Sequence, residues 1–317
     1  MTPIERECRS ISTRIGCALL IFAALVLLQS AVLAIFPLFT ASLSALWAEI
    51  VYELVSALLY TLVFTLPVLF FKWVSRTQRT APMRLAPELT VDGLLCAFFG
   101  VAVTLALAFV NAKIVGVFQY ADFSDQYLWQ SDVSANYQLV LLFLTLAVVP
   151  AFVEELLFRG LILENLLPCG KEVAILGSAF LFGMMHQNAE QLLYATGAGI
   201  VFGWIYVRTR SIWPCVLAHF INNFQSVLQT AFLARLPLHR AQSVLYIVEA
   251  MLLALGVLSG IYLFRQKEQK QPKVCSAEVA QIPLRRKVRL FFSVPMTLFV
   301  LWCVSSMIVL IWMSFSM

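Results

Sequence analysis

Long apolar segments are the feature of this 317-residue sequence that most limits its fold. A helix of about 20 apolar residues is long enough to cross the ~30 Å hydrocarbon core of a bilayer. The segments lie at 15–37, 43–71, 92–112, 138–167, 173–187, 190–207, 211–233, 242–264 and 289–315. Only 12% of the residues are charged, against about 25% in soluble domains. The sequence therefore predicts an all-α, polytopic transmembrane bundle of about 8–9 spans. It excludes a soluble enzyme and a nucleic-acid-binding domain.

The distribution of basic residues predicts how the spans are oriented. With the N-terminus in the cytoplasm, all of the 22 Lys and Arg residues except Lys113, Arg235 and Arg240 fall on the cytoplasmic side. Such a bias is typical of cytoplasmic loops. No eukaryotic sorting signal is recognisable, which favours a bacterial source. We therefore expect a multi-pass protein of the bacterial cytoplasmic membrane, with the lipid bilayer as its surroundings and no nucleic acid as partner.

The chain divides into three parts by the distribution of its polar residues. Residues 1–137 and 234–317 supply N-terminal and C-terminal transmembrane helices, whereas the helices of 138–233 carry the polar residues discussed below. A basic cytoplasmic loop at 265–287 is expected to lie near anionic lipid headgroups. Because this loop separates the segment 289–315 from the rest, we expect that last span to be an appendage.

Two further patterns concern packing. The seven cysteines are scattered singly along the chain, which predicts neither a disulfide framework nor a zinc–thiolate site. A G-x-x-x-G pattern at 199–203 predicts close contact between two helices, since glycine allows backbones to approach each other.

The fourth segment contains the densest group of ionisable residues. Charged groups within spans are costly and by default indicate a functional site. Glu155 and Arg159 are four residues apart and can pair on one helix face. Glu154 points about 100° away and can face another helix. One carboxylate would then be structural and the other available for chemistry. A buried ion network that only holds the bundle together is the alternative.

Two other segments carry histidines. His186 ends the fifth segment and follows Phe182 by four residues, and His219 lies four residues before Asn223 in the seventh segment. Alone, His186 is compatible with an ordinary core histidine. The second pair is compatible with a hydrogen bond between helices that contributes about 1 kcal/mol.

The depth of these residues indicates that they belong together. If residues 168–170 form a cytoplasmic turn, Glu154 and His186 each lie about 13 residues, or ~20 Å, from it. His219 and Asn223 lie about 12–18 Å above the cytoplasmic end of their own helix. Four polar side chains from three helices therefore share one layer of the membrane, which favours a site over unrelated structural residues.

Such a set of groups suits the hydrolysis of an amide. A carboxylate and an imidazole can take a proton from water, and a second imidazole with a carboxamide can stabilise the oxyanion. Neither G-x-S-x-G nor H-E-x-x-H occurs, so the common serine and zinc-helix patterns are missing. Glu154, His186 and His219 could instead hold zinc with an open fourth position. Asn223 suits an oxyanion donor better than a metal ligand, so we expect no required cofactor and regard zinc as the less favoured alternative.

Three motifs in this order resemble those of a known family. E-E-x-x-x-R at 154–159, F-x-x-x-H at 182–186 and H-x-x-x-N at 219–223 each occur in a separate apolar segment. The combination resembles the CPBP family of intramembrane proteases, which includes the CAAX prenyl endopeptidases and the bacteriocin-processing and immunity proteins of Abi type. The resemblance covers about 138–225.

The resemblance implies a function and roles for six side chains. The function is that of an endopeptidase of glutamate type, historically classed as a metalloprotease, whose substrate is a membrane-associated or lipidated protein or peptide. Glu154 and His186 would activate water. His219 and Asn223 would stabilise the oxyanion, and Glu155 and Arg159 would support the site.

The sequence is also compatible with two other functions. A catalytically silent family member could act as a membrane scaffold or bacteriocin-immunity protein, although such a protein has no need of intact motifs. A proton-coupled transporter could line a path with Glu49, Glu53, Glu154 and Glu249. The lack of an internal repeat counts against a transporter. Glu49 and Glu53 are more simply expected to be solvated at the external end of their helix.

Overall fold

The computed structural model describes residues 1–76, 90–119, 136–266 and 277–316, and the regular structure within these ranges is entirely helical. The helices are α1 (Pro3–Thr40), α2 (Ala45–Ser75), α3 (Val91–Gln119), α4 (Asn136–Cys169), α5 (Lys171–Met185), α6 (Ala189–Thr209), α7 (Trp213–Arg235), α8 (Leu238–Arg265), α9 (Ala277–Gln281), α10 (Leu284–Phe291) and α11 (Val294–Ser316). The predicted all-α bundle is confirmed. Residues 120–135, between α3 and α4, and much of the basic loop 265–287 lie outside the described residues.

Six helices of the described chain are long and apolar enough to cross a membrane, namely α1, α2, α3, α4, α8 and α11. The protein is therefore a multi-pass membrane protein. The other three predicted spans also form helices, α5, α6 and α7, but these fall short in length or in hydropathy. Helix α5 has 15 residues, and α7 carries several polar side chains, among them His219, Asn222, Asn223 and Gln225. Two of these three helices, α5 and α7, hold predicted site residues, and the other site residues lie on α4.

Helix α4 is continuous but irregular on both sides of its carboxylate pair. Phe143–Val148 and Leu156–Leu163 are π-helical, and Glu154 and Glu155 lie in the α-helical turns between them. Short π-helical insertions are rare and are frequently found at functional sites, because they change the direction in which neighbouring side chains point. The apolar segment 138–167 gave no sign of these irregularities.

The connection between α4 and α5 is the tight turn that the sequence predicted. Leu167–Cys169 forms one turn of 3₁₀-helix, and Gly170 follows with φ of 125°, a backbone conformation that favours glycine. Helix α5 begins immediately afterwards and runs antiparallel to α4. The turn therefore brings Glu154 and His186 to similar distances from the same end of the bundle.

Helices α5 and α6 are in backbone contact, as the G-x-x-x-G pattern predicted. A Cβ atom added at Gly199 would lie 2.8 Å from Ala179 Cα and 3.2 Å from Ala179 O. One added at Gly203 would lie 3.2 Å from both Ile175 and Leu163. Only hydrogen at these positions allows the two helices to pack this closely.

The expectation that the last span is an appendage is wrong. Helix α11 packs along α1, where the backbone of Met296 touches Gly16 so closely that a Cβ atom there would clash. The predicted segment 289–315 is also two helices, since α10 ends at Phe291 and α11 begins at Val294. The C-terminal helix is therefore an integral part of the bundle.

Two cysteines that looked unrelated in the sequence are joined. Cys8 at the start of α1 and Cys169 at the end of α4 form a disulfide, with a Cα–Cα distance of 5.6 Å across a sequence separation of 161 residues. The expectation of no disulfide was wrong, because a single pair between distant helices leaves no spacing pattern in the sequence. The bridge ties α1 to the turn between α4 and α5.

Candidate active site

Glu155 and Arg159 form the buried ion pair that their spacing predicted. Arg159 Nη1 donates to Glu155 Oε1 at 2.8 Å, and both side chains are 0% exposed. Arg159 Nη2 also donates to the backbone oxygen of Gly199 on α6, at 3.2 Å. The guanidinium therefore links α4 to the helix that the glycine contact brings close.

Two aromatic rings cover the guanidinium of Arg159. Its Cζ lies 4.6 Å from the ring centroid of Phe182 on α5 and 5.2 Å from that of Phe202 on α6. Cation–π contacts of this kind stabilise a charge removed from water by about 2 kcal/mol or more. The phenylalanine of the F-x-x-x-H motif thus supports the ion pair.

Glu155 also orients His219. Its Oε1 lies 2.9 Å from His219 Nδ1, and the imidazole is stacked on Phe202 with the centroids 5.5 Å apart. A carboxylate accepts hydrogen bonds, so His219 Nδ1 carries a hydrogen and Nε2 faces away from Glu155. An imidazole held by a buried carboxylate has a fixed tautomer and orientation.

Glu154 has different surroundings. Its side chain is buried, and Oε1 accepts a hydrogen bond from the hydroxyl of Tyr60 on α2 at 2.5 Å. The other oxygen, Oε2, has no hydrogen-bond partner among the described residues. It lies 4.0 Å from His219 Nε2. Glu155 Oε2 also has no hydrogen-bond partner among the described residues, but Arg159 and His219 both bind the other oxygen of Glu155. The carboxylate that the sequence left free for chemistry is therefore the one that no guanidinium binds.

His186 lies beside the same group. Its Nδ1 is 2.8 Å from the backbone oxygen of Phe182, so Nδ1 donates and Nε2 keeps its lone pair. The Phe182 ring makes edge contacts with both imidazoles, at 5.2 Å to His186 and 5.9 Å to His219. His186 also interacts electrostatically with Glu154 and His219. The three helices thus bring both histidines to the carboxylates.

Asn223 lies one helical turn beyond His219. Its Nδ2 donates to the backbone oxygen of Leu146, in the first π-helical segment of α4, at 3.0 Å. Its neighbour Asn222 accepts a hydrogen bond from the Tyr194 hydroxyl at 2.6 Å. Among the described residues, no hydrogen bond joins Asn223 directly to Glu154 or to the histidines, so it borders the group formed by the other five predicted residues.

Three contacts of the site were missed by the sequence analysis. They are the hydroxyl of Tyr60, the ring of Phe202 and the backbone oxygen of Gly199. Tyr60 and Phe202 stand in apolar helices without a motif around them, so neither gives a signal. Gly199 was assigned to packing alone, although the same close approach places its carbonyl group beside Arg159.

Glu49 is not the solvated residue that we expected. It is half-buried and accepts hydrogen bonds from the Tyr137 hydroxyl and from Gln138 Nε2, both at 2.7 Å. These bonds join the start of α2 to the start of α4. Glu53 and Glu249 are half-buried on α2 and α8. Glu49 therefore has a structural partner outside the group around Glu154.

The zinc alternative needs three ligands in one place. In the ranges that the structure covers, no three side chains of the types His, Cys, Asp and Glu lie close enough to hold a metal ion together. Glu154 and His219 approach each other, but Nδ1 of His219 is occupied by Glu155. That no metal is required stays a prediction, and a chelator tests it against the zinc alternative.

A carboxylate and an imidazole can act as general bases, and ionisable groups inside membrane spans indicate a functional site. Residues 136–225 match the family model described as Type II CAAX prenyl endopeptidase Rce1-like. This segment is therefore similar to that family of membrane proteases, in agreement with the three motifs. It contains all six predicted site residues, whereas Tyr60 lies outside it.

Similarity to a curated protein covers the same part of the chain. The "Putative membrane peptidase YdiL" of Bacillus subtilis (strain 168) is 32% identical over 91 residues. The match covers 28% of this chain and 37% of that protein, so the two are alike over little more than a third of the relative's length. No solved structure matches this chain.

Proposed function

We propose that this protein is an intramembrane endopeptidase that hydrolyses a peptide bond of a membrane-associated or lipidated protein or peptide. The observation that carries the proposal is Glu154, a buried carboxylate with one unpaired oxygen that faces His219 Nε2 across 4.0 Å. Its place in a segment that matches prenyl endopeptidases supports a peptide substrate close to the membrane surface. The relative's name, a membrane peptidase, points to the same class of reaction.

The gap between Glu154 and His219 suits one water molecule. A water at about 2.8 Å from both atoms would subtend an angle of about 90° between them, which is acceptable for hydrogen bonding. In the proposed reaction, Glu154 Oε2 takes a proton from this water while the water oxygen forms a bond to the carbonyl carbon.

His186 is the second group proposed to act on the water. Its Nδ1 is held by the backbone of Phe182, so the lone pair on Nε2 can accept the other hydrogen of the same water molecule. Two acceptors on one water orient its oxygen lone pair towards the substrate. Orientation of this kind is a main source of rate acceleration at enzyme sites.

His219 and Asn223 are proposed to stabilise the oxyanion that forms on the substrate. Protonated His219 donates through Nε2, with Nδ1 held by Glu155. Asn223 has a second amide hydrogen besides the one that it gives to Leu146. The intermediate collapses when the C–N bond breaks and Glu154 passes its proton to the departing amine nitrogen. Removing one such oxyanion donor typically lowers kcat about 10²–10³-fold.

Cleavage by the purified protein tests the proposal. The wild type, reconstituted in liposomes, would be given peptides with and without a prenyl group, and products would be identified by mass spectrometry. Glu154→Gln and His219→Ala should abolish cleavage. Glu172→Gln is the matched control, because Glu172 is an exposed carboxylate at the start of α5. Cleavage that survives Glu154→Gln would contradict the proposed mechanism.

A chelator arm separates the glutamate mechanism from the zinc alternative. We propose that no metal is required, so a chelator should leave the wild-type rate unchanged. Loss of activity with chelator and its recovery with zinc would instead assign Glu154, His186 and His219 as zinc ligands. A wild type that cleaves none of the peptides would favour the scaffold or immunity function.

A further inference from the structure

Helix α2 lies outside the segment that matches the protease family, yet it contacts Glu154. The Tyr60 hydroxyl donates to Glu154 Oε1 at 2.5 Å, and this leaves Oε2 as the unpaired oxygen. We infer that Tyr60 is a positioning residue, which holds Glu154 by Oε1 so that Oε2 is the oxygen that acts on the water. The inference rests on the proposed function and adds a residue from a part of the chain without a motif.

The bond explains how one carboxylate can have two unequal oxygens. The terminal torsion of a glutamate side chain is broad, so an unrestrained carboxylate rotates and exchanges its oxygens. A short hydrogen bond from a hydroxyl to an ionised carboxylate is among the stronger ones in proteins. Held in this way, Glu154 keeps Oε2 directed towards His219 Nε2, at 4.0 Å.

Tyr60 is itself held by a column of aromatic rings. Its ring lies 4.8 Å from that of Phe64, one turn further along α2. Phe64 packs edge-on against Phe22 of α1 at 5.0 Å, and Phe22 contacts Phe299 of α11 at 6.3 Å. Phe22, Phe64 and Phe299 are buried. The flanking helices, which carry no family motif, therefore fix the position of the hydroxyl.

The charged and titratable groups around Glu154 come from three other elements and from α4 itself. Tyr60 approaches from α2, His186 from α5 and His219 from α7, while the Glu155–Arg159 pair lies on the same helix. Tyr60 is the one hydrogen-bond donor to Glu154 among the described residues. Removing its hydroxyl should therefore leave the carboxylate of Glu154 free to rotate without altering the Glu155–Arg159 pair.

Tyr60→Phe tests the inference in the reconstituted full-length protein, with a peptide that the wild type cleaves. We expect kcat to fall about ten- to a hundredfold, as for the loss of a hydrogen bond to a charged group, and KM to stay within about twofold. Tyr52→Phe is the matched control on the same helix, where the Tyr52 ring packs on Phe36.

A conservative replacement and a stability measurement complete the test. With 3-fluorotyrosine at position 60, which keeps the hydroxyl, kcat should stay within about threefold of the wild type. Thermal unfolding of Tyr60→Phe, Glu154→Gln and the double variant should show non-additive shifts, since directly bonded residues are coupled. Additive shifts, or an unchanged kcat in Tyr60→Phe, would overturn the inference. If the wild type cleaves no peptide, the proposed function and the positioning role are both refuted. Coupled unfolding shifts would in that case show only that Tyr60 and Glu154 are in structural contact.

Discussion

The two adjacent carboxylates have different surroundings, and this difference gives each a separate role. Glu155 is paired with the guanidinium of Arg159 and holds His219, so its charge is compensated inside the bundle. Glu154 has no guanidinium partner: among the described residues it accepts a hydrogen bond from the Tyr60 hydroxyl, and its Oε2 lies 4.0 Å from His219 Nε2. A buried charge without a full set of partners is costly, and proteins tolerate that cost mainly at functional sites.

Glu155→Gln should destabilise the protein more than Glu154→Gln does. The first change leaves the Arg159 cation buried without its counter-charge, which typically costs about 3–5 kcal/mol. Glu154 has no cationic hydrogen-bond partner among the described residues, so the second change leaves no buried cation unpaired. Thermal unfolding of both variants in the same lipid would measure the difference. Equal midpoints would contradict the structural role assigned to Glu155.

Arg159→Lys should also lower stability, by about 1–3 kcal/mol, although it keeps the charge. Lysine cannot donate to Glu155 and Gly199 at once from a planar group that is stacked on Phe182 and Phe202. Arg208→Lys, at a half-exposed ion pair with Asp92, is the matched control and should change the midpoint much less. Similar losses in both variants would show that the stacking and the bond to Gly199 contribute little.

The sequence encodes contacts within one helix far better than contacts between helices. Glu155 and Arg159 were predicted to pair because a spacing of four residues places them together. The bond from Tyr60 to Glu154 joins residues 94 positions apart, so no periodicity reveals it. The ring of Phe202 is equally invisible in an apolar helix, because any phenylalanine there suits lipid or core packing.

At the scale of elements, the contact between α5 and α6 fixes the carbonyl group that binds Arg159. Gly199→Ala should cost about 1–3 kcal/mol, because its Cβ would meet the backbone of Ala179 at 2.8 Å and push the helices apart. Gly197→Ala is the matched control on the same helix. Its Cβ would meet only the tip of the Leu107 side chain, at 2.9 Å, which can move.

Thermal unfolding of the two glycine variants decides this prediction. Gly197→Ala should be neutral or slightly stabilising, since alanine favours a helix over glycine by up to about 1 kcal/mol. If Gly199→Ala were equally stable, the two helices would have room between them, and the position of the Gly199 carbonyl would not depend on close packing.

Apolar runs predicted where helices lie but not their irregularities. The π-helical segments beside Glu154 depend on tertiary contacts, such as that between Asn223 and Leu146, rather than on local composition. The separation of α10 from α11 was missed because Leu290–Phe292 continues the apolar run of the last span. In the structure, Arg9 binds the backbone oxygens of Arg289 and Phe292, at 2.9 and 2.7 Å, and so caps the end of α10.

At the scale of the whole molecule, the flanking helices enclose the family segment rather than extend it. The Cys8–Cys169 disulfide ties α1 to the turn between α4 and α5. Cys8→Ser should lower the free energy of unfolding of the purified protein by about 2–4 kcal/mol, the usual effect of a bridge that closes a long loop. A reductant should lower the wild-type midpoint similarly and leave Cys8→Ser unchanged. Cys17→Ser, which removes a free thiol from the same helix, is the control. A reductant without effect on the wild type would contradict the bridge.

A catalytic role for Glu154 is tested most directly by comparing the cleavage rates of Glu154→Gln and Glu172→Gln, in liposomes and at saturating substrate. Both changes remove one carboxylate charge and keep the side-chain shape, but only Glu154 has the unpaired, buried oxygen. We expect kcat to fall about a thousandfold or more in Glu154→Gln and to stay near the wild-type value in Glu172→Gln. Comparable rates for the two variants would contradict a catalytic role for Glu154.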